Sequence, residues 1–336
     1  MARASTTTKP TIYSIAQAVG VSPSTVSRAL SRPELVKDSV REAVLAAAHE
    51  LGYSPNRAAR GLATGRTGVI GMLVPDVQNP FFPPLIRAVQ VAARARDAEL
   101  LLIDSELSAS AEQELVSRIR PQVDGVIVAS PRLPAARLRE ALAGVPAVLV
   151  NRSTRAASSI VVDNTAALQE IGDRLVELGH QRVALLRGPQ ATWAATHRAR
   201  AVRSWAERTG VEIVEVGPLE AQFEDGRAVA AQVIDADAGA VFAFDDLMAA
   251  GVIAGLSDRG ERVPQDRSVV GCDDVLLAQT MTPALTTVSA PFGELGTTAV
   301  ELLGEAIAGQ GSRAVSIPGR VALRGTIGPA ARRTKQ

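Results

Sequence analysis

The chain has 336 residues, with 36 Lys+Arg against 35 Asp+Glu and 46% apolar residues, a composition that supports a folded core and excludes an extended disordered chain. No run of about eighteen uncharged apolar residues is present, and the opening MARASTTTKP lacks the apolar block of a signal peptide, so no membrane contact is expected and the cytoplasm is the expected compartment. The single cysteine, Cys272, rules out an intramolecular disulfide and a multi-cysteine metal site, and His49, His180 and His197 lack metal-ligand spacing, so neither metal nor cofactor is expected.

The near-neutral total conceals an asymmetry. Residues 1–66 hold nine Lys+Arg against four Asp+Glu, whereas the remainder holds 27 against 31. A basic head on an acidic body is the pattern of a chain whose head alone meets phosphate.

In chain order, the first helix follows Thr11 as N-cap, with Ile15 and Val19 one turn apart and Gly20 placed to end it in the left-handed conformation. A second helix starts with Ser22 as N-cap and Pro23 at the first helical position, where a missing N–H costs nothing. Val26, Ala29 and Leu30 share its inner face, which leaves Ser24, Thr25, Ser27 and Arg28 outside with the helix N-terminus. Hydroxyls and N-terminal amides suit phosphate oxygens, and an arginine can make two bonds to a guanine edge. A third helix, about Ser39 to Leu51, carries Val40, Val44, Ala47 and Ala48 at helical spacing and completes a small core. The next stretch, Asn56 to Leu62, is short, rich in small residues and interrupted by Gly61, at best a marginal helix.

From Gly68 onward short apolar runs alternate with helical patterns: Val69–Val74, Leu100–Ile103, Val126–Ala129, Ala147–Val150, Ile160–Val162, Val183–Leu186, Ala240–Phe244 and Val269–Gly271. Strands this uniformly apolar are covered on both faces, which predicts parallel sheets between helical layers. Ligands bind at the carboxyl ends of such strands. The residues there are Asp76, Ser130, Asn151, Asp163, Asp245, Asp246, Cys272, Asp273 and Asp274. Singly, each Asp reads as a helix N-cap, Asp246 before Leu-Met-Ala-Ala above all; together they read as an acceptor-rich cleft for hydroxyls.

The segments TIYSIAQAVGVSPSTVSRAL, ELGYSPNRAARGL and IGMLVPDVQNPFF resemble the LacI family of bacterial transcriptional regulators. The resemblance implies an α/β protein: a three-helix helix-turn-helix head at 1–54, a hinge helix and linker at 55–66, and a two-lobed, periplasmic-binding-protein-like body of doubly wound parallel sheets at 67–330, before a tail at 331–336. Lobe one would take about 67–178 and 292–318, and lobe two about 180–289 and the C-terminal end, with crossovers near Gly179, Ala290 and Arg320.

Carried over position by position, Pro23, Ser24 and Arg28 face bases, while Tyr13, Ser22, Thr25, Ser27 and Asn56 contact the DNA backbone. The hinge, with Ala59 and Leu62, orders on operator, and Leu62 wedges into the minor groove. Ser14 and Lys37 depart from the family pattern, and Asp38 or Ser39 is expected to take over the cap of helix three. In the body the resemblance implies an effector site containing Arg198 and Asp273, with Asp76, Phe81, Phe82 and Asp163 from lobe one and Trp193 and Phe223 as aromatic floor. Asp245 replaces a common Asn and favours a polyol, an amino sugar or another ligand with a cationic feature; Cys272 replaces an aromatic, and a wider pocket is expected there.

The function so implied is a homodimeric repressor of a palindromic double-stranded DNA operator, associated with the nucleoid when bound, whose affinity changes when a small molecule, a sugar or sugar derivative, binds between the lobes. The alternatives are a sugar-binding protein without a regulatory role and a corepressor-dependent regulator of a non-sugar metabolite. An enzyme is not expected, since GxGxxG, GxxxxGK[ST] and GxSxG motifs are all missing from the sequence.

Overall fold

The computed structural model describes residues 10–31, 33–53, 66–154, 157–190 and 192–331. The hinge expectation, with Asn56, Ala59 and Leu62, lies outside the described residues, as do residues 332–336 of the tail. The chain divides into two compact units, Met1–Thr67 and Gly68–Gln336. Among the described residues no helix is long and apolar enough to cross a membrane.

The first unit contains helices α1 (Ile12–Val19), α2 (Pro23–Ser31) and α3 (Asp38–Glu50). Gly20, at φ 70°, ends α1 in the left-handed region, and its N–H donates to the Ala16 carbonyl. Ile15, Val26 and Val44 are fully buried, one from each helix, with Ala16, Ala29 and Ala48 filling the gaps between them. At about 1.5–3 kcal/mol for each large side chain, these contacts outweigh the weak intrinsic stability of helices this short. Helix α3 starts at Asp38, one residue before expectation. Its cap position is Lys37, which makes no side-chain cap bond, so neither Asp38 nor Ser39 takes over that role; Asp38 instead places its charge in the first turn, where the helix dipole favours it.

In the second unit the chain runs through β1 (Val69–Val74), α4 (Phe82–Arg94), β2 (Glu99–Asp104), α5 (Ala109–Ile119), β3 (Gly125–Ala129), α6 (Ala135–Ala141), β4 (Ala147–Val150) and β5 (Ser158–Asp163). It continues with α7 (Thr165–Glu177), β6 (Arg182–Leu186), α8 (Trp193–Thr209), β7 (Glu212–Val216), α9 (Phe223–Ala228), α10 (Ala230–Asp235), β8 (Ala240–Phe242), α11 (Asp246–Ser257), β9 (Ser268–Val270) and α12 (Leu276–Thr280). The end is β10 (Thr287–Ser289), α13 (Phe292–Ile307), β11 (Ala314–Pro318) and β12 (Arg320–Ala322).

Lobe one is a parallel sheet in the order β11-β5-β4-β3-β1-β2, and lobe two a parallel sheet in the order β7-β6-β8-β9. Alternate residues of each strand feed opposite layers. Met72, Ile127 and Val148 meet α4 and α13, while Leu73, Val128 and Leu149 meet α5 and α6. In lobe two Val183, Leu185 and Phe242 meet α7 and α8, while Ala184, Leu186 and Val241 meet α10 and α11. That division of a continuous apolar run between two layers is the doubly wound arrangement its composition requires.

One expected boundary is wrong. Helix α7 buries Leu168, Ile171 and Leu175 against Trp205 and Phe242 of lobe two, so the chain leaves lobe one at Asn164 and not near Gly179. Trp205 seats on Gly172, where an added Cβ would stand 2.4 Å from the indole. The other crossings fall between β10 and α13 and at Gly319, whose N–H donates to the Asp163 carbonyl at 2.9 Å; β12 then pairs with β10 in an antiparallel ribbon.

A helix-turn-helix head and a cleft bridged from both lobes

The head presents the polar face that its spacing predicts. Ser22 Oγ accepts from the Thr25 N–H at 3.2 Å and lies 2.8 Å from Ser24 Oγ and 2.9 Å from Thr25 Oγ1, so one hydroxyl caps α2 and aligns two others. Tyr13, Ser22, Ser24, Ser27 and Arg28 are exposed, and Pro23 and Thr25 are half-buried. Ser14 accepts the Thr11 N–H at 2.9 Å, the return half of a capping arrangement, so its departure from the family pattern leaves that donor satisfied.

The body places a cavity of about 60 Å³ at the carboxyl ends of both sheets. Of the expected ligand residues, Asp76, Phe81, Phe82, Ser130, Arg198, Asp245 and Asp273 line it. Phe81 and Phe82 do double duty: both are 5% exposed, with ring centroids 5.2 Å apart, and both belong to the lobe-one core.

Arg198 and Asp273 form the centre. Nη2 of Arg198 donates to Asp273 Oδ1 at 2.5 Å, Nη1 donates to the Phe244 carbonyl at 2.6 Å, and the guanidinium carbon lies 4.8 Å from the Phe244 ring centre. The Asp273 backbone is held at φ 124° by an N–H bond to the Val288 carbonyl, a conformation few L-residues adopt. Burial raises the Asp273 carboxyl, against the pull of Arg198, and the like charges of Asp246 and Asp245 raise it further. Burial opposes the charge on Arg198, but Asp273 and its acidic neighbours more than offset this and hold the guanidinium protonated.

Side chains from the two lobes meet across this cavity. Asn79 Nδ2 donates to Asp245 Oδ2 at 3.0 Å and to the Ala221 carbonyl at 3.3 Å; Gln222 Nε2 donates to Asp76 Oδ2 at 3.1 Å; Arg132 pairs with Glu220. Arg132 is itself positioned by Glu112, a carboxylate only 2% exposed that accepts the N–H groups of Arg132 at 2.9 Å and Leu133 at 3.0 Å. Burial raises the pKa of Glu112 while those two backbone donors lower it, and burial prevails.

Several expectations are corrected. Asp245, not Asp246, caps α11, accepting the Met248 N–H at 2.8 Å; Asp246 is the first helical residue and accepts from Thr287 Oγ1 at 2.6 Å and the Val275 N–H at 2.9 Å. Asp163 does not line the cavity: it accepts the Thr165 N–H at 2.9 Å and stands 3.8 Å from His197. Trp193 stacks on His197 with ring centres 4.3 Å apart and lines a smaller annex beside the cavity, because the first turn of α8 points it toward Asn164 and Thr165. Phe223 opens α9 and is half-buried outside the lining, where Ala221 and Gln222 stand instead. Cys272 is 1% exposed in the lobe-two core and accepts from Asn164 Nδ2 at 3.3 Å, so it widens nothing at the cavity.

The lining residues Asn79, Arg132, Gln222 and Phe244 have no counterpart in the sequence-based set. Asn79 and Phe244 adjoin motif residues already singled out, which is the signal that could have found them; Arg132 and Gln222 lie on loops whose meeting depends on the lobe arrangement.

Residues 11–56 match the model for bacterial regulatory proteins of the lacI family, and residues 173–327 match that for the periplasmic binding protein-like domain. Over 308 residues the chain is 30% identical to the HTH-type transcriptional regulator DegA of Bacillus subtilis (strain 168), covering 86% of this chain and 88% of that protein. Among solved structures, the lac repressor dimer bound to operator and the anti-inducer ONPF superposes with a TM-score of 0.85 at 27% identity, covering 95% of this chain and 99% of that one. A complex of the transcriptional regulator CelR with cellobiose superposes at 0.70 with 30% identity, over 94% and 99% of the two chains.

Proposed function

The chain belongs to the LacI family of bacterial regulatory proteins, and from that premise we propose that its head reads an operator while its cleft holds the small molecule that controls the reading. It is a DNA-binding transcriptional regulator and not an enzyme. The observation that carries the coupling is that one cavity is closed by side chains of both lobes, so a ligand there contacts both and changes their relative free energies.

On the DNA side, Arg28 is the base reader, Ser24 and Pro23 lie beside it, and Tyr13, Ser22, Thr25 and Ser27 engage phosphates; Asn56, Ala59 and Leu62 are assigned to the hinge from the family pattern alone. A single head covers one half-site, so the working form is a homodimer on a palindrome. By analogy with the cellobiose complex of its relative, the ligand is a sugar or sugar derivative, held by the Arg198–Asp273 pair with Asp76, Ser130 and Asp245 around it and Phe81 and Phe82 below. Asp163, Trp193 and Phe223 have supporting places outside that cavity. Operator-bound, the protein stands in the bacterial nucleoid.

The test begins with selection of bound DNA by the full chain. Arg28→Ala is expected to lose about 1–3 kcal/mol on the selected operator and less on random duplex at the same salt. Equal losses on both would remove Arg28 from base reading.

A further inference from the structure

We propose that the effector carries a protonated amine, which the buried acidic wall of the cleft recognises through Asp245 and Asp273. This inference rests on the cleft being the effector site. Three carboxylates, Asp76, Asp245 and Asp273, line the cavity with two guanidiniums, Arg132 and Arg198. Arg132 is matched by Glu220 on the opposite lobe. Arg198 is therefore the one cation facing the three cavity-lining carboxylates among the described residues, and its Nη2 is directed at Asp273.

The other two carboxylates accept hydrogen bonds from neutral donors alone, and the charge of Arg198, which bonds Asp273, reaches Asp245 only through space. Asp245 accepts from the Met248 N–H at 2.8 Å and Asn79 Nδ2 at 3.0 Å, and Asp76 accepts from the Gln78 N–H at 2.8 Å and Gln222 Nε2 at 3.1 Å. Neutral donors fix a carboxylate's orientation without cancelling its charge. Asp246, 1% exposed, adds a fourth acid directly behind Asp245. The strain shows in the proton affinities: burial pushes Asp246 up to about 6 and holds Asp245 above its usual range, with Asp273 raised by burial and by both neighbours.

Each carboxylate oxygen can accept a second hydrogen bond, and an ammonium supplies three donors with the charge the wall lacks. A neutral polyol supplies the donors but not the charge. A bound metal is a poorer fit, because no three His, Cys, Asp or Glu side chains among the described residues form a metal-binding group. The remaining lining includes Phe81, Phe82, Pro189 and Ala221, which suits the carbon face of a small ring. The class indicated is a small aminated polyol of the amino-sugar type.

The full chain should be titrated by calorimetry with 2-amino-2-deoxyhexoses beside their parent hexoses, near neutral pH and at fixed salt. At least one amine should bind about tenfold or more tightly than its hydroxyl partner, and Asp245→Asn, which keeps an N-cap side chain, should erase most of that preference. The comparison within the parent protein needs no variant to fold. Parent hexoses binding as well as the amines, an amine affinity indifferent to Asp245→Asn, or silence from every amine would each overturn the proposal. Hexoses that bind as tightly as the amines, with both lost in Arg198→Ala, would do so while leaving the cleft as effector site, so the two readings fail separately.

Discussion

Asp246 illustrates how one side chain serves the fold at the edge of a site. It is 1% exposed, ties α11 to β10 through Thr287, and holds the N–H of Val275, the residue that leads into α12. With its carboxyl pushed up to about 6 from an ordinary 3.8, the folded chain keeps a proton that the unfolded chain releases in between. The stability this group contributes is complete below about pH 4 and is lost as pH rises through about 6. A displacement of that size corresponds to roughly 3 kcal/mol. Urea unfolding should show the parent losing up to that amount relative to Asp246→Asn between about pH 4 and pH 7, and parallel pH profiles would contradict the assignment. The neighbouring pair also marks a limit of sequence reading. Both Asp245 and Asp246 precede the same apolar stretch, and which of them caps it turns on a helix start defined to one residue, finer than periodicity resolves. The Arg198–Asp273 pair was legible because its motif spacing survives intact; Trp193 and Phe223 were misplaced because side-chain direction at the start of a helix depends on the turn that enters it.

At the level of elements, α9 and α11 approach backbone to backbone through glycines. An added Cβ at Gly251 would stand 2.0 Å from the Phe223 carbonyl oxygen, and one at Gly226 would stand 2.2 Å from that of Met248. Gly251→Ala should cost about 1–3 kcal/mol in chemical unfolding, since the two helices can only separate. It should also weaken cleft ligands, because α9 begins beside Gln222, whose amide holds Asp76. An alanine variant as stable as the parent would show that the helices part without strain. The strands were legible in proportion to their burial. Continuous apolar runs revealed β1, β3, β4 and β8, whereas β7, Glu-Ile-Val-Glu-Val at a sheet edge with one wet face, and the three-residue β10 and β12 have no such run. The lobe of α7 was misread for a related reason. Leu168, Ile171 and Leu175 announce an apolar face, but only the tertiary partner, Trp205, says which core receives it.

For the molecule as a whole, the side-chain pairs across the cavity set the terms of control. The Asn79–Asp245 bond is buried and the Gln222–Asp76 bond half-buried, whereas the Arg132–Glu220 pair has one partner 47% exposed and belongs with surface ion pairs of about 0–1 kcal/mol. A ligand competing for Asp245 acts on the buried one, the Asn79–Asp245 bond. Differential affinity for two lobe arrangements is what turns binding into a signal, at a typical coupling of 1–3 kcal/mol, or about 5–150-fold. Occupation of this cleft is expected to change DNA affinity at the head. The most direct test is operator affinity at one salt concentration, with and without a ligand that binds the parent chain, compared with Arg198→Ala. A change within that range is expected for the parent and none for Arg198→Ala, whose ligand-free operator affinity is retained. The same ligand response in both proteins, or no change in the parent when the cleft is saturated, would contradict that expectation.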